Sequence, residues 1–266
     1  MLGTIWNTLL VNPILNLLVV LYTFLGQNMG LAIIVLTILI RALLIPVVMP
    51  SMKTMKKQRD LQPELDKLKS KYKHDKQKLS QEQMKLFKKH GLNPASGCLT
   101  QISMIVVLIA LYNVITRFTV NGDANVINSL IYFPALKFAE GASIDTTFWY
   151  MNLAKSDPYF VLPILAGIFQ LFASKMMQPY VELGENAAKT TPDKKDDLAY
   201  NMQEQMLYLM PVMTVFIGAS LPSGAALYIL ITTVFSLVQQ YFVSGWGGLI
   251  PWLRKLGLNV GKTTQG

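Results

Sequence analysis

The stretch LAIIVLTILIRALLIPVVM, residues Leu31–Met49, decides the fold because it is long and apolar enough to cross a membrane as a helix. Arg41 is its only charged residue. At about 1.5 Å of rise per residue, Arg41 lies roughly 15 Å into the run, near the middle of a hydrocarbon core about 30 Å thick. A charge at that depth costs about 2.5–3.5 kcal/mol on insertion scales, so Arg41 is a candidate functional residue.

The composition indicates an all-α polytopic membrane protein. Of the 266 residues, 52% are hydrophobic and 15% are charged, whereas soluble domains are typically about 25% charged. The apolar residues are gathered into runs, and five of these runs predict spanning helices. They cover residues 30–50, 98–117, 159–177, 206–221 and 224–243, and all acidic residues lie outside them.

The first residues are also apolar, but asparagines and Pro13 interrupt them. This pattern favours a helix lying along the membrane interface, with a sixth span as the alternative. The resulting division of the chain is an N-terminal interfacial helix (1–28), transmembrane helix 1 (29–50), a cytoplasmic helical hairpin (51–93), transmembrane helix 2 (94–118), an extracytoplasmic loop (119–158), transmembrane helix 3 (159–177), a cytoplasmic loop (178–205), transmembrane helices 4 and 5 (206–243) and a cytoplasmic tail (244–266).

Lysine and arginine are distributed unevenly between the loops, and this asymmetry predicts the orientation. Residues 51–92 contain thirteen of them and residues 117–158 contain three. Because basic loops stay in the cytoplasm, we expect the N-terminus outside and the C-terminus inside. In the basic segment, Pro63 can begin a helix, and the apolar spacing from Leu61 to Tyr72 is helical. The resulting lysine-rich hairpin is either simply solvated or a docking arm for an anionic partner or lipid.

Several neutral polar residues accompany Arg41 in the predicted spans. Thr37 lies one helical turn before it, and Tyr228 and Thr232 lie on one face of the fifth span. Further candidates are Gln101, Asn113 and Gln170. Such residues often only form hydrogen bonds between helices. With no acidic residue in any predicted span, we favour a hydrated cavity around Arg41 that receives an anionic guest.

Other kinds of function lack their sequence signatures. His74, His90 and Cys98 do not form a metal-binding pattern, and the chain has no Walker motif and no nucleophile–base constellation. We therefore expect no catalytic residues, no metal and no cofactor, and the protein is not predicted to be an enzyme. A small-solute transporter or channel and a structural scaffold remain alternative functions.

The order of several motifs resembles one family. The motifs are Arg41 in LTILIRALLIP, Leu61-Gln62-Pro63, Asn93-Pro94 followed by Gly97-Cys98, Asp157-Pro158-Tyr159, Met210-Pro211, and Pro222-Ser223-Gly224 followed by Leu227-Tyr228. With these landmarks the chain resembles the YidC-type membrane protein insertases, the bacterial branch of the YidC/Oxa/Alb superfamily. The similarity extends over nearly the whole chain.

The resemblance implies five spans around a hydrophilic groove that is open to the cytoplasm and closed outside. Arg41 would be the groove cation, with Thr37, Gln170 and Tyr228 beside it. The residue analysis adds Thr232, Gln101 and Asn113 as groove candidates. The hairpin would recruit substrate through Pro63, Lys67, Lys71, Lys78 and Lys85. The implied location is the bacterial inner or plasma membrane. The implied partners are nascent membrane proteins, the ribosome, the SecYEG translocon and anionic lipids, but not DNA.

Overall fold

The structure is a computed structural model, and it describes residues 2–72, 75–92, 96–119, 124–139, 142, 144–177 and 198–257. Almost all of its regular structure is helical. The helices are α1 (Leu2–Trp6), a π-helical turn (Asn7–Val11), α2 (Asn12–Phe24), α3 (Met29–Asp60), α4 (Gln62–Lys71), α5 (Lys76–Lys89), α6 (Ser96–Thr119), α7 (Ala124–Asn128), a 3₁₀ turn (Pro134–Leu136), α8 (Val161–Met177), α9 (Leu198–Ser220), α10 (Ser223–Ser244), a second 3₁₀ turn (Gly247–Leu249) and α11 (Ile250–Lys255).

The chain forms two compact units. The first unit comprises Met1–Leu44, Ile102–Gln170 and Met210–Phe235. Its core consists of apolar side chains from α2, α3, α6 and α10, which are fully buried or nearly so. Examples are Leu15, Leu18, Ile33, Leu36, Leu111, Ile115, Phe118 and Leu227. This unit contains Arg41 and Tyr228, so its packing positions the predicted groove residues.

The connection between α6 and α8 is folded back on itself in the first unit. Strands β1 (Thr147–Phe148) and β2 (Met151–Asn152) form an antiparallel hairpin, with Phe148 paired to Met151. Trp149 occupies the turn with a φ of 54°, a left-handed conformation that few side chains adopt. Hydrogen bonds from Asn128 hold the part of the connection before this hairpin. The Asn128 side chain donates to the Phe138 carbonyl and accepts from the Phe138 amide, both at 2.8 Å.

The second unit comprises Ile45–Gln101, Leu171–Leu209 and Ser236–Gly266. Its helices α4 and α5 occupy the segment predicted to be a helical hairpin. Pro63 lies in the first turn of α4, where its missing amide hydrogen costs nothing. Asp75 caps α5, because its carboxylate accepts a hydrogen bond from the Lys78 amide at 2.9 Å. Leu61 and Leu65 are buried.

The helix lengths differ from the sequence prediction at the end of the first span and in how many helices are long enough to cross a membrane. Helix α3 passes through Pro46 and Pro50 and continues to Asp60, so the first basic residues after position 50 extend the spanning helix. Among the residues that the structure describes, three helices are long and apolar enough to cross a membrane: Gly3–Phe24, Met29–Asp60 and Ser223–Ser244. Shorter apolar helices, of 10–17 residues in the described part of the chain, are Ile105–Phe118, Val161–Met177 and Leu207–Ser220.

These lengths support an α-helical membrane protein, while the number of spans stays a prediction. Two of the five predicted spans correspond to long apolar helices, in α3 and α10. The other three correspond to the shorter apolar helices. The N-terminal segment, predicted to lie in the interface, is itself long enough to span. Its length therefore does not distinguish a spanning helix from an interfacial one, and the contacts that it makes within the first unit are the relevant observation.

Candidate functional site

Arg41 is enclosed within the first unit. Its exposed fraction is 4%, although it carries a guanidinium group. Thr37, one turn earlier on α3, is completely buried, and its hydroxyl donates to the Ile33 carbonyl at 2.6 Å. The same apolar helix that makes α3 a spanning segment thus carries a buried polar face.

Tyr228 on α10 is the partner that the structure brings to Arg41. Its exposed fraction is also 4%, and its side chain interacts electrostatically with the guanidinium. Thr232 lies one turn further along α10 and interacts with Tyr228, but its enclosed hydroxyl has no partner in ordinary hydrogen-bond geometry among the described residues. Buried polar atoms are seldom left in this state. A polar group next to Arg41 and Tyr228 would also lie close to the Thr232 hydroxyl.

The remaining groove candidates are less well defined. Gln170 on α8 and Asn113 on α6 are half-buried, and their position beside Arg41 stays a prediction. Gln101 belongs to α6, but its side chain lies outside the described residues. The part of the site that the structure defines is therefore the group formed by Thr37, Arg41, Tyr228 and Thr232, which we call the buried polar group.

The N-terminus of α10 is fastened to the α6–α8 connection. The Ser223 amide and hydroxyl both donate to the Lys155 carbonyl at 2.7 Å, and the Gly224 amide donates to the Leu153 carbonyl at 3.0 Å. A Cβ atom at Gly224 would lie 2.9 Å from the Ile115 side chain and 3.2 Å from the Leu153 oxygen. Glycine is required here because the backbones approach so closely.

Asp157 organises the beginning of α8, and the sequence analysis did not assign it a role. It is 2% exposed, and its carboxylate accepts hydrogen bonds from the Leu162 amide at 2.8 Å, the Tyr159 amide at 3.1 Å and the Tyr150 hydroxyl at 3.1 Å. Burial, assisted by the Asp157 carboxylate, raises the pKa of Tyr150 to about 12. The motif Asp157-Pro158 before a span was the available sequence signal, because an aspartate often caps a helix.

The predicted recruiting residues on α4 and α5 are all exposed: Pro63, Lys67, Lys71, Lys78 and Lys85. The ammonium groups of Lys71 and Lys78 lie 5.4 and 5.7 Å from the centre of the Tyr72 ring. The Lys85 ammonium bonds to Glu82 at 2.7 Å, which raises the pKa of Lys85 and lowers that of Glu82. Lys71, Lys78 and Lys85 therefore contact partners within their own hairpin and still face solvent.

The described ranges contain no group of three or more histidine, cysteine or acidic side chains that could bind a metal ion. The buried polar group likewise contains no carboxylate or imidazole to transfer a proton. The arrangement presents N–H and O–H donors, which are complementary to a polar, electron-rich group.

Comparison with known proteins identifies similar sequences along most of the chain. Residues 20–247 match the model of the family described as 60Kd inner membrane protein. The chain is 33% identical over 216 residues to "Membrane protein insertase YidC" of Fusobacterium nucleatum, which covers 81% of this chain and 86% of that protein. It is 30% identical over 244 residues to "Membrane protein insertase MisCA" of Bacillus subtilis, which covers 90% and 79%.

Some relatives are much longer than this chain. "Membrane protein insertase YidC" of Geobacter sulfurreducens is 30% identical over 239 residues, and the match covers 90% of this chain but 38% of that protein. The family match over residues 20–247 includes the segment that contains Arg41 and the helix that contains Tyr228.

Proposed function

Because this chain belongs to the 60Kd inner membrane protein family, we propose that it is an insertase and chaperone for membrane proteins. It is a helical protein of a bacterial membrane. In the proposed reaction it moves short hydrophilic tails of nascent membrane proteins across the bilayer and releases their helices into lipid. The observation that carries this proposal is the enclosure of Arg41 beside Tyr228 at mid-helix depth.

The buried polar group supplies the binding step of the mechanism. An acidic or polar segment would lose its water on entering the bilayer, and Arg41 and Tyr228 offer N–H and O–H groups in exchange. Charge-assisted hydrogen bonds of this kind are roughly twice as strong as neutral ones. The Thr232 hydroxyl, which lacks a well-oriented partner among the described residues, offers one more.

The driving force is supplied by the substrate. Each leucine, isoleucine or phenylalanine that enters the bilayer centre gains about 0.3–0.6 kcal/mol on insertion scales, so a span of about 20 residues gains several kcal/mol. The membrane potential adds about 2.3 kcal/mol per charge per 100 mV. An acidic tail drawn to the outside gains from this potential. Nucleotide hydrolysis is therefore not required.

Short helices support a locally thinned bilayer in this proposal. The apolar part of α9 begins in the sequence after Gln205, and the predicted span over residues 206–221 corresponds to about 24 Å of helix. This length is below a hydrocarbon core of about 30 Å. A bilayer that thins to match it shortens the path of a polar tail.

The proposed topology has five spans, with the N-terminus outside and the C-terminus in the cytoplasm. The contacts of the N-terminal helices support an interfacial position for them. Asn7 accepts a bond from Arg117 at 3.0 Å, Asn16 bonds to Leu130 and Tyr132, and the Tyr22 ring lies 6.1 Å from that of Phe138.

Asn7 and Tyr22 are about 22 Å apart along a helix. Nevertheless, Asn7 contacts Arg117 at the end of α6, and Tyr22 contacts Phe138 in the connection that follows α6. A helix that crossed the membrane would carry one of these residues to the opposite surface. We therefore propose that α1 and α2 lie along the outer interface.

The exposed hairpin of α4 and α5 is the proposed recruiting arm. The positive charge of its lysines is complementary to acidic substrate segments, to the ribosome and to anionic lipid headgroups. The SecYEG translocon is the proposed protein partner in the membrane. DNA is not a proposed partner.

Reconstitution into liposomes tests the proposed function. The substrate is a single-span protein with an acidic N-terminal tail, and the readout is protection of that tail from external protease. We expect protection that depends on this chain and needs no nucleotide. Absence of protection under all conditions would contradict an insertase. Solute flux without insertion would favour a transporter or channel, and neither activity would favour a scaffold.

Photocrosslinking adds the position of contact. A photoreactive amino acid replaces Tyr228, and a matched variant carries it at Phe216, an aromatic residue of α9 that is 67% exposed. We expect nascent membrane proteins to crosslink at position 228 more than at position 216. Equal crosslinking at both positions would contradict a binding role for the buried polar group.

A further inference from the structure

Three lysines lie close together at the end of the apolar part of α3. Lys53, Lys56 and Lys57 recur at helical spacing after Met49, so all four residues occupy one side of α3. They line a cavity of about 440 Å³ in the second unit. We call it the lysine cavity.

Part of the lining of the lysine cavity comes from a second helix and is apolar. It is formed by Phe242 and Val243, from the end of α10. The Phe242 side chain is 77% exposed. A large aromatic group with so much open surface, next to three ammonium groups, suits a ligand that is itself both charged and apolar.

The charge of the cavity is positive. Its lining contains one acidic residue, Asp60, whose carboxylate already accepts two hydrogen bonds from the Arg59 guanidinium at 3.3 Å. Within the described ranges, no ion pair joins Lys53, Lys56 or Lys57 to an acidic side chain. Three like charges within two helical turns repel each other, and a bound anion would relieve this repulsion.

The position of the cavity along the helices coincides with a membrane boundary. Met49 ends the apolar run of α3, Lys53 follows one turn later, and Phe242 lies close to the end of α10 at Ser244. In the proposed topology this is the cytoplasmic boundary, so the assignment of the leaflet rests on the proposed function. Basic pockets at this level of a membrane protein are sites for acidic lipid headgroups.

We propose that the lysine cavity binds an anionic phospholipid of the cytoplasmic leaflet. The phosphodiester contacts Lys53, Lys56 and Lys57, and the beginning of an acyl chain lies against Met49 and Phe242. A free inorganic anion would use the lysines alone and would leave the apolar part of the lining without a role. The bound lipid would then be a fixed component of the protein's boundary with the bilayer.

The test places a photoreactive amino acid at Phe242 in the full chain. The protein is reconstituted in nanodiscs of phosphatidylcholine with a minor fraction of phosphatidylglycerol. After irradiation, the headgroups of the crosslinked lipids are identified by mass spectrometry. We expect phosphatidylglycerol to be enriched over its bulk fraction by at least about fivefold, the factor that one lysine near an anionic surface contributes. Crosslinks in the bulk ratio would overturn the proposal.

Three sets of substitutions make the test specific. Lys53, Lys56 and Lys57 are changed together to glutamine, and a control changes the exposed residues Lys88, Lys89 and Lys255 to glutamine, which removes the same charge. We expect the enrichment to be lost in the first variant and retained in the control. Arginine at positions 53, 56 and 57 should retain it, because the charge is kept. Enrichment that survives the first variant would contradict the site.

Two further measurements separate the alternatives. Inorganic phosphate is tested as a ligand of the protein in phosphatidylcholine nanodiscs, and phosphate binding that requires Lys53, Lys56 and Lys57 without any phosphatidylglycerol enrichment would assign the cavity to a free anion instead of a lipid. Protease protection of an acidic substrate tail is followed in vesicles of the same lipids. Insertion without phosphatidylglycerol enrichment would overturn the lipid site and leave the insertase proposal intact. Enrichment without insertion would support the lipid site and contradict the insertase proposal.

Discussion

The first unit and the hairpin of α4 and α5 both carry positive charge, but in opposite ways. In the first unit the cation Arg41 is enclosed at 4% exposure, beside a buried tyrosine on another helix. In the hairpin, several lysines are exposed, and Lys71, Lys78 and Lys85 contact the near neighbours Tyr72 and Glu82. A buried cation depends on its particular surroundings, whereas exposed cations of the same sign can replace one another. Single substitutions should therefore have large effects in the first unit and small effects in the hairpin.

Replacing Arg41 should give the largest effect. Arg41→Met keeps much of the side-chain volume and removes the charge. We expect insertion of an acidic-tailed substrate to fall by about tenfold to a hundredfold, since a hydrogen bond to a charged group contributes about 1.5–3 kcal/mol. A neutral-tailed substrate should lose less. The measurement is the initial rate of protease protection in vesicles.

Arg41→Lys separates charge from shape. Lysine keeps the charge but lacks the planar fork of donors, so we expect partial activity. Complete loss with lysine would show that the geometry of the guanidinium matters more than its charge. Equal loss for acidic and neutral tails in Arg41→Met would indicate a structural role.

The close approach at Gly224 should give the next largest effect, on stability instead of substrate choice. In Gly224→Val the new side chain would meet Ile115 and the Leu153 carbonyl. We expect the free energy of unfolding to fall by about 1–3 kcal/mol, the usual cost of overpacking. Thermal unfolding in detergent measures it. Gly3→Val is the control, because no atom lies within 4 Å of a Cβ atom at Gly3; equal losses would contradict the packing explanation.

Sequence patterns identified Arg41, its neighbour Thr37 and the polar face of the fifth span that contains Tyr228, and the family resemblance placed Tyr228 beside Arg41. Hydropathy and charge counting identify Arg41, because the penalty for a charge depends only on its depth in an apolar run. Its contact with Tyr228 depends on how α3 and α10 pack, and periodicity within one helix carries no information on that. The resemblance to a family was needed to connect the two residues.

Helix ends were predicted less well than helices. Pro46 and Pro50 are usual signals of a helix end, yet α3 continues through both to Asp60. Neighbouring groups in a membrane protein can satisfy the backbone atoms that a proline frees, so the local rule is overridden. The Asp157 network was missed although its bonds from the Tyr159 and Leu162 amides are local, and its third donor, the Tyr150 hydroxyl, is identified only when the connection has folded.

The hairpin lysines should give small, additive effects. Changing Lys67, Lys71, Lys78 or Lys85 singly to glutamine should weaken substrate recruitment by at most about fivefold, because exposed ion pairs contribute about 0.2–1 kcal/mol. The fourfold variant should lose more, and added salt should produce a similar loss in the wild type, since the Debye length is about 10 Å at 0.1 M. Crosslinking of a nascent chain to the hairpin measures recruitment.

Two results would break the comparison between the regions. A single lysine variant as damaging as Arg41→Met would show that the hairpin contains one specific site. A fourfold variant with normal, salt-independent recruitment would show that the hairpin charge is only solvated, the alternative that its sequence left open.

The smallest effect concerns Tyr150, whose titration should reveal how firmly Asp157 is held in the first unit. The pKa of Tyr150 is raised to about 12 by burial and by the Asp157 carboxylate, whereas the ordinary value is about 10. Below pH 10 the phenol is neutral in both the folded and unfolded states, so its contribution to stability is fully present. Between about pH 10 and 12 the unfolded state loses its proton first, and stability falls as the pH rises. Asp157→Asn should lower the pKa of Tyr150 only part of the way, because burial remains. Ring-labelled tyrosine observed by NMR, assigned with Tyr150→Phe, measures this shift. An unchanged pKa in Asp157→Asn would mean that burial alone holds the phenol neutral.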